Sequence, residues 1–166
     1  MRHREGRIKL KSMSRIKKIP LVILVVIIAI QFIQPARNES GQVLSTDISK
    51  TVLVPANVQT VLQAACYDCH SNHTNYPFYT NIQPVGWILA RHIKNGKAEL
   101  NFSEFGSYSN RKQKNKLNSI VNSLKDETMP LSSYTLVHKN ARLTKAEKAS
   151  IIDWANKTKD SLSLKN

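Results

Sequence analysis

The sequence predicts an all-α fold, on three observations. Apolar residues return at the three- and four-residue spacing of a helix face in several separate stretches, strand-like alternation is thin, and the connections between these stretches are long and polar. No internal repeat or low-complexity tract interrupts the pattern.

The first element is N-terminal. Through Pro20 there are eight Lys and Arg against Glu5 alone, half of the formal net charge of +14. The run "LVILVVIIAIQFI" follows, Leu21 to Ile33, 13 residues with Gln31 its one polar member. A basic segment before a short apolar run reads as an export signal, with its basic side in the cytoplasm and the rest of the chain outside. The run is shorter than the roughly 20 residues of a spanning helix. Ile19 and Pro20 extend it a little, and Pro20 suits a first helical turn. "IQPARNES" offers no convincing small-x-small cleavage pair, and no cysteine follows closely for a lipid. The expectation is therefore an uncleaved transmembrane anchor. Residues 1–20 would be a cytoplasmic basic segment, 21–34 the span, 35–54 a tether and 55–160 the folded domain. Met13 offers an alternative start, since "MSRIKK" alone is an adequate basic segment.

From Arg37 onward 130 residues remain, enough for one domain with a core. That part carries 17 Lys and Arg against 10 Asp and Glu. Its positive charge is scattered apart from "RKQKNK" at 111–116, which reads as solvated surface. Export also argues against a nucleic-acid partner. Val58, Val61, Leu62 and Ala65 mark a first helix, running from Pro55 into Cys66. A second opens at Pro84, carries Trp87 and Ile88, and stops at Gly96. A third covers Lys114 to Leu124 with Leu117, Ile120, Val121 and Leu124 apolar. The fourth has the clearest start, where Thr144 and Glu147 form a capping box ahead of Ile151, Ile152, Trp154 and Ala155. The connections Ser71–Gln83 and Asn95–Asn110 need something to pack against, because ordering a backbone costs about 1–2 kcal/mol per residue. A large cofactor forming part of the core would supply it.

Both cysteines lie in "CYDCH", Cys66 to His70, and the spacing C-x-x-C-H is the attachment signature of c-type haem. Two thiols two residues apart can form thioethers to the two vinyl groups of one porphyrin, and the next histidine then sits under the iron as proximal ligand. Three other readings remain open beside it. Zinc would use Cys66, Cys69, His70 and His73, although structural sites usually draw their second ligand pair from farther along the chain. A redox dithiol would sit at the start of a helix after a strand, whereas a helical pattern precedes this one. A plain disulfide would ignore His70.

For the sixth iron position the candidate is Met129, in front of Pro130 and after the third helix. Methionine opposite histidine raises the reduction potential, as an electron carrier requires. His138, His92 and His73 are the rivals, and His138 is the nearest competitor. Asp68, between the cysteines, is expected to face solvent.

From about Pro55 to Trp154 the chain resembles the small haem-binding domain proteins of bacterial envelopes, related to class I cytochromes c. The resemblance rests on "CYDCHSNHTNYPFYTNIQPVGW", "HIKNGKAELNFSEF", "MPLSSYTLVH" and "LTKAEKASIIDW". It implies a cytochrome c-like helical domain with long loops wrapped around one covalently attached haem c, held by Cys66, Cys69 and His70 behind an N-terminal transmembrane segment. Its Met-Pro pair resembles the distal-ligand segment of class I cytochromes and points to Met129. Tyr76 and Phe78 stand where the family often carries tryptophan.

The function expected from this reading is a mono-haem c-type cytochrome. It would be anchored in the cytoplasmic membrane on the periplasmic side, and would pass single electrons between envelope redox proteins, with acidic partners steered by basic charge. The alternative is a peroxidase-type enzyme, or a gas or redox sensor with a displaceable distal ligand. A structural envelope protein crosslinked by its cysteines is the reading outside haem chemistry.

Overall fold

Side-chain caps start three of the helices in the computed structural model, which describes residues 15–40 and 42–164. The helices in chain order are α1 (Arg15–Ile30), α2 (Ile48–Thr51), α3 (Ala56–Ala65), α4 (Tyr67–His70), α5 (Val85–Glu99), α6 (Asn110–Lys125), α7 (Ser132–Val137) and α8 (Lys145–Ser163). Among the described residues there is no sheet, only an isolated antiparallel bridge between Glu39 and His73.

At α8 the capping box forms as read: Glu147 N–H donates to Thr144 Oγ1 at 3.2 Å, and Thr144 N–H donates to Glu147 Oε2 at 2.8 Å. α6 begins four residues before Lys114 because Ser109 caps it, accepting from Lys112 N–H. α5 starts after Pro84 and continues past Gly96 to Glu99. Gly96 serves close approach instead of termination. A Cβ there would come within 2.5 Å of the Cys69 carbonyl oxygen, so only glycine lets α5 lie against α4. In the segment read as a tether, Asp47 caps the short α2 by accepting from Ser49 N–H at 2.9 Å, and Ile48 is fully buried. This arm is hooked into the core.

α6 and α8 lie side by side. Leu117, Val121 and Leu124 face Ile151, Trp154 and Ala155, with Val58 and Leu62 of α3 joining them. Phe102 and Phe105 complete the core from a 3₁₀ turn at Phe102–Ser107, inside a connection the sequence reading left irregular. Burying each ring stabilises the fold by about 2–3 kcal/mol. Two polar groups that follow them inside are paired: Gln113 Nε2 donates to Phe105 O, and Trp154 Nε1 to Leu53 O at 3.0 Å.

The N-terminal anchor is corrected by the structure. Among the described residues no helix is long and apolar enough to cross a membrane. α1 has 16 residues, with Pro20 inside it instead of in its first turn. At about 1.5 Å per residue it is roughly 24 Å long, against a hydrocarbon core of about 30 Å. It ends where Gln31 turns toward the domain: Gln31 Nε2 donates to Gln83 O, and Gln83 N–H donates back to Gln31 Oε1 at 2.9 Å. The transmembrane segment, the single-pass placement in the cytoplasmic membrane and the membrane-anchored electron carrier built on them all fall with this finding. Residues 1–14 of the basic segment, with His3 and Met13, lie outside the described residues.

Candidate functional site

The site begins where α3 stops. Cys66 takes φ −127° and ψ −39°, which ends the regular helix, and its carbonyl then accepts from Cys69 N–H and His70 N–H to wind the single turn of α4. Residues four apart share a helix face, so Cys66 and His70 look the same way. Both line a cavity of about 210 Å³ whose walls include Leu62, Leu100, Phe102 and Ile120. Met129 and Pro130 line it too, whereas Cys69 does not and sits half-buried beside it, its carbonyl against Gly96.

His70 is oriented from behind. Its Nδ1 lies 3.0 Å from the carbonyl oxygen of Leu100. A carbonyl only accepts, so Nδ1 carries the hydrogen and Nε2 keeps its lone pair, the arrangement of a metal-ligating imidazole. Phe102 meets the ring edge-on with centroids 6.2 Å apart, and Tyr67 stacks on Phe102 at 5.0 Å. Burial depresses the His70 pKa below its ordinary value, which favours the neutral, ligating form. Burial also pushes the Cys66 thiol up to about 12 and the Cys69 thiol up to about 11, with neighbouring negative charge a smaller cause at both. Both cysteines are free thiols.

Met129 arrives through the C-terminus of α6. Glu127 takes the left-handed conformation with φ 54°, and Thr128 N–H donates back to Ser123 O at 3.0 Å. This is a Schellman turn with glutamate where glycine is usual, and it reverses the chain toward the cavity. Met129 remains 37% exposed.

The opposite side of α4 is polar, and here the solvent-facing expectation for Asp68 is corrected. Asp68 is buried. Its Oδ1 accepts from Asn75 N–H at 3.0 Å and from Asn75 Nδ2 at 3.2 Å, while Oδ2 accepts from the Tyr134 hydroxyl at 2.7 Å. Burial, then the Asp68 hydrogen bond, raises the Tyr134 pKa. Tyr134 stacks on His138 at 4.1 Å, and His138 Nε2 meets the Tyr79 hydroxyl at 2.6 Å. His138 therefore sits with this network, away from the residues that line the Cys66–His70 cavity. His73 is exposed, with Nδ1 at 3.1 Å from Ser40 O, and His92 is not among the cavity residues. The four residues weighed for zinc do not converge: among the described residues no group of three or more His, Cys, Asp or Glu could hold a metal ion.

Two groups in or beside the site sit where the sequence did not place them. Asp68 was expected in solvent, and its partners lie in other parts of the chain, Asn75 seven and Tyr134 66 positions on. Lys116 lines the cavity although it belongs to the run read as solvated surface.

The donor set suits haem: a neutral imidazole presenting Nε2, a thiol on the same face, and a thioether within one apolar-walled space. Comparison with known proteins returns no curated protein and no solved structure that matches. The family described as a haem-binding domain matches residues 25–157, which takes in α2 through most of α8. The chain, all-α in its described part and carrying this cavity, belongs to the haem-binding domain family.

Proposed function

We propose that the chain is a c-type haem protein of the class I cytochrome kind. Cys66 and Cys69 would hold one haem through thioether bonds, and His70 and Met129 would supply ligands to its iron. The observation that carries this reading is that Cys66, His70 and Met129 line one apolar-walled cavity. The family assignment supports haem as the ligand. When bound, haem supplies an iron centre capable of one-electron exchange and of taking small axial ligands.

The chain's own residues have separable tasks. Leu100 O engages His70 Nδ1, leaving Nε2 as the atom that would ligate the iron. Phe102, Leu62 and Leu100 exclude water around it. Each thiol would attach by adding across a vinyl group of the porphyrin, sulfur to one carbon and hydrogen to the other, with no net oxidation. Raised thiol pKa values keep both cysteines protonated until then.

Mass spectrometry of the chain produced with cytochrome c maturation machinery tests the attachment. One haem adduct surviving acid–acetone extraction is expected, and an unmodified mass overturns it. His70→Ala should abolish proximal ligation. Met129→Ala should remove the weak near-infrared band of sulfur–iron ligation and admit carbon monoxide. A wild-type protein that lacks this band and binds carbon monoxide freely has an open sixth position, with Met129 as wall and not ligand.

A further inference from the structure

We propose that Lys116 is the residue that recognises the carboxylate edge of the porphyrin, pairing with a propionate at the rim of the cavity. The inference rests on haem occupying the cavity lined by Cys66 and His70. Lys116, Ile120 and Ser123 recur at helical spacing on α6 and line that cavity, while Leu117, Val121 and Leu124 face the core with α8. The cavity thus has mostly apolar walls, with Lys116, Ser119 and Ser123 of α6 and Glu99 of α5 as its polar lining. Haem has the matching shape, an apolar macrocycle with two carboxylates on one edge.

The present partner of Lys116 is weak. Its Nζ lies 3.8 Å from Glu99 Oε2, and the Glu99 side chain is 84% exposed where that of Lys116 is only 21% exposed. The contact is long and its carboxylate is mostly solvated, so the pair gains little. A ligand carboxylate entering the cleft offers a less hydrated, better-aligned acceptor. Glu99 is free to swing into solvent when that happens.

The test compares two probes on the full-length reduced chain without haem: iron protoporphyrin IX and its dimethyl ester, titrated by absorbance. Wild type should prefer the free acid by roughly tenfold, the scale of one charge-assisted hydrogen bond. Lys116→Ala should bind both alike, and Lys116→Arg should keep the preference. Lys116→Met retains the aliphatic stem and guards against a simple wall defect. The proposal is overturned if wild type accepts the ester as well as the acid, or if Lys116→Ala and Lys116→Met keep the wild-type preference. If wild type binds neither probe, the matured holoprotein decides. There an unpaired carboxylate in the cleft takes up a proton at higher pH, so Lys116→Met should acquire a pH-dependent reduction potential that wild type and Lys116→Arg lack. Equal pH behaviour in all three sinks the proposal alone. Failure of the chain to acquire any haem under maturation conditions sinks the cavity reading, and the proposal with it.

Discussion

The two sides of the single turn α4 are built on opposite chemistry. On one side Cys66 and His70 meet an apolar space, and burial holds the thiol and the imidazole uncharged. On the other Asp68 accepts three hydrogen bonds, two from Asn75 and one from Tyr134. Helical geometry makes the division, because positions four apart share a face while the position between them points away. The difference teaches that "CYDCH" holds two functions in five residues: one face keeps its donors available, and the other spends every acceptor on anchoring the turn.

Breaking the anchoring face should have the largest effect. Asp68→Ala leaves the Asn75 N–H and the Tyr134 hydroxyl without their acceptor, and should destabilise the fold by about 3 kcal/mol in denaturant titration. Tyr134→Phe removes one hydrogen bond while keeping the ring stacked on His138, and should cost about 1–1.5 kcal/mol. Equal stability of Asp68→Ala and wild type would dissolve the contrast between the faces. Gly96→Ala tests the contact behind Cys69: the new methyl meets backbone, α5 must move off α4, and a loss of about 2 kcal/mol is expected. The two thiols sharpen the comparison kinetically. In the haem-free chain at pH 8, alkylation should be faster at the half-buried Cys69 than at Cys66, whose thiol burial pushes up further. The reverse order, followed by peptide mass spectrometry, would mean that Cys66 is the more open of the pair.

The smallest effect lies far from the turn, at the cap of α8. Hydrogen bonds from Thr144 hold the Glu147 carboxyl below its ordinary 4.5. A depressed carboxyl pKa adds stability above 4.5 and loses it as pH falls through the folded value. Glu147→Gln should therefore melt slightly below wild type at neutral pH, and the gap should close in acid. A gap that widens in acid would be incompatible with the cap.

What could be read from sequence was local. Thr144 and Glu147 are three residues apart, and both cap hydrogen bonds formed. The helix-face spacing of Leu117, Val121 and Leu124 became buried core. What could not be read depends on distant partners. Asp68 is buried because Tyr134 and Asn75 reach it, and nothing near position 68 announces that. Lys116 looks like its charged neighbours until α6 is rotated against the cavity. Gly96 resembles a helix stop, yet its missing side chain makes room for Cys69. The apolar run at residues 21–33 was already short for a span by its length, and the flanking charge outweighed that warning in the expectation of an anchor.

The acceptor for His70 is a piece of main chain, the carbonyl of Leu100. A genetic consequence follows. No codon change at position 100 can delete that acceptor, since every amino acid carries the same carbonyl, so the imidazole's tautomer is inherited from the path of the backbone and not from a residue's identity. Random mutagenesis scored by haem colour should therefore find weak spots at His70 itself and at Asn101, Phe102 and Ser103, which hold that path in place through the Asn101 side chain's bond from Ser103 N–H and the buried Phe102 ring. Substitutions of Leu100 should act through lost packing, and conservative apolar replacements there should stay coloured.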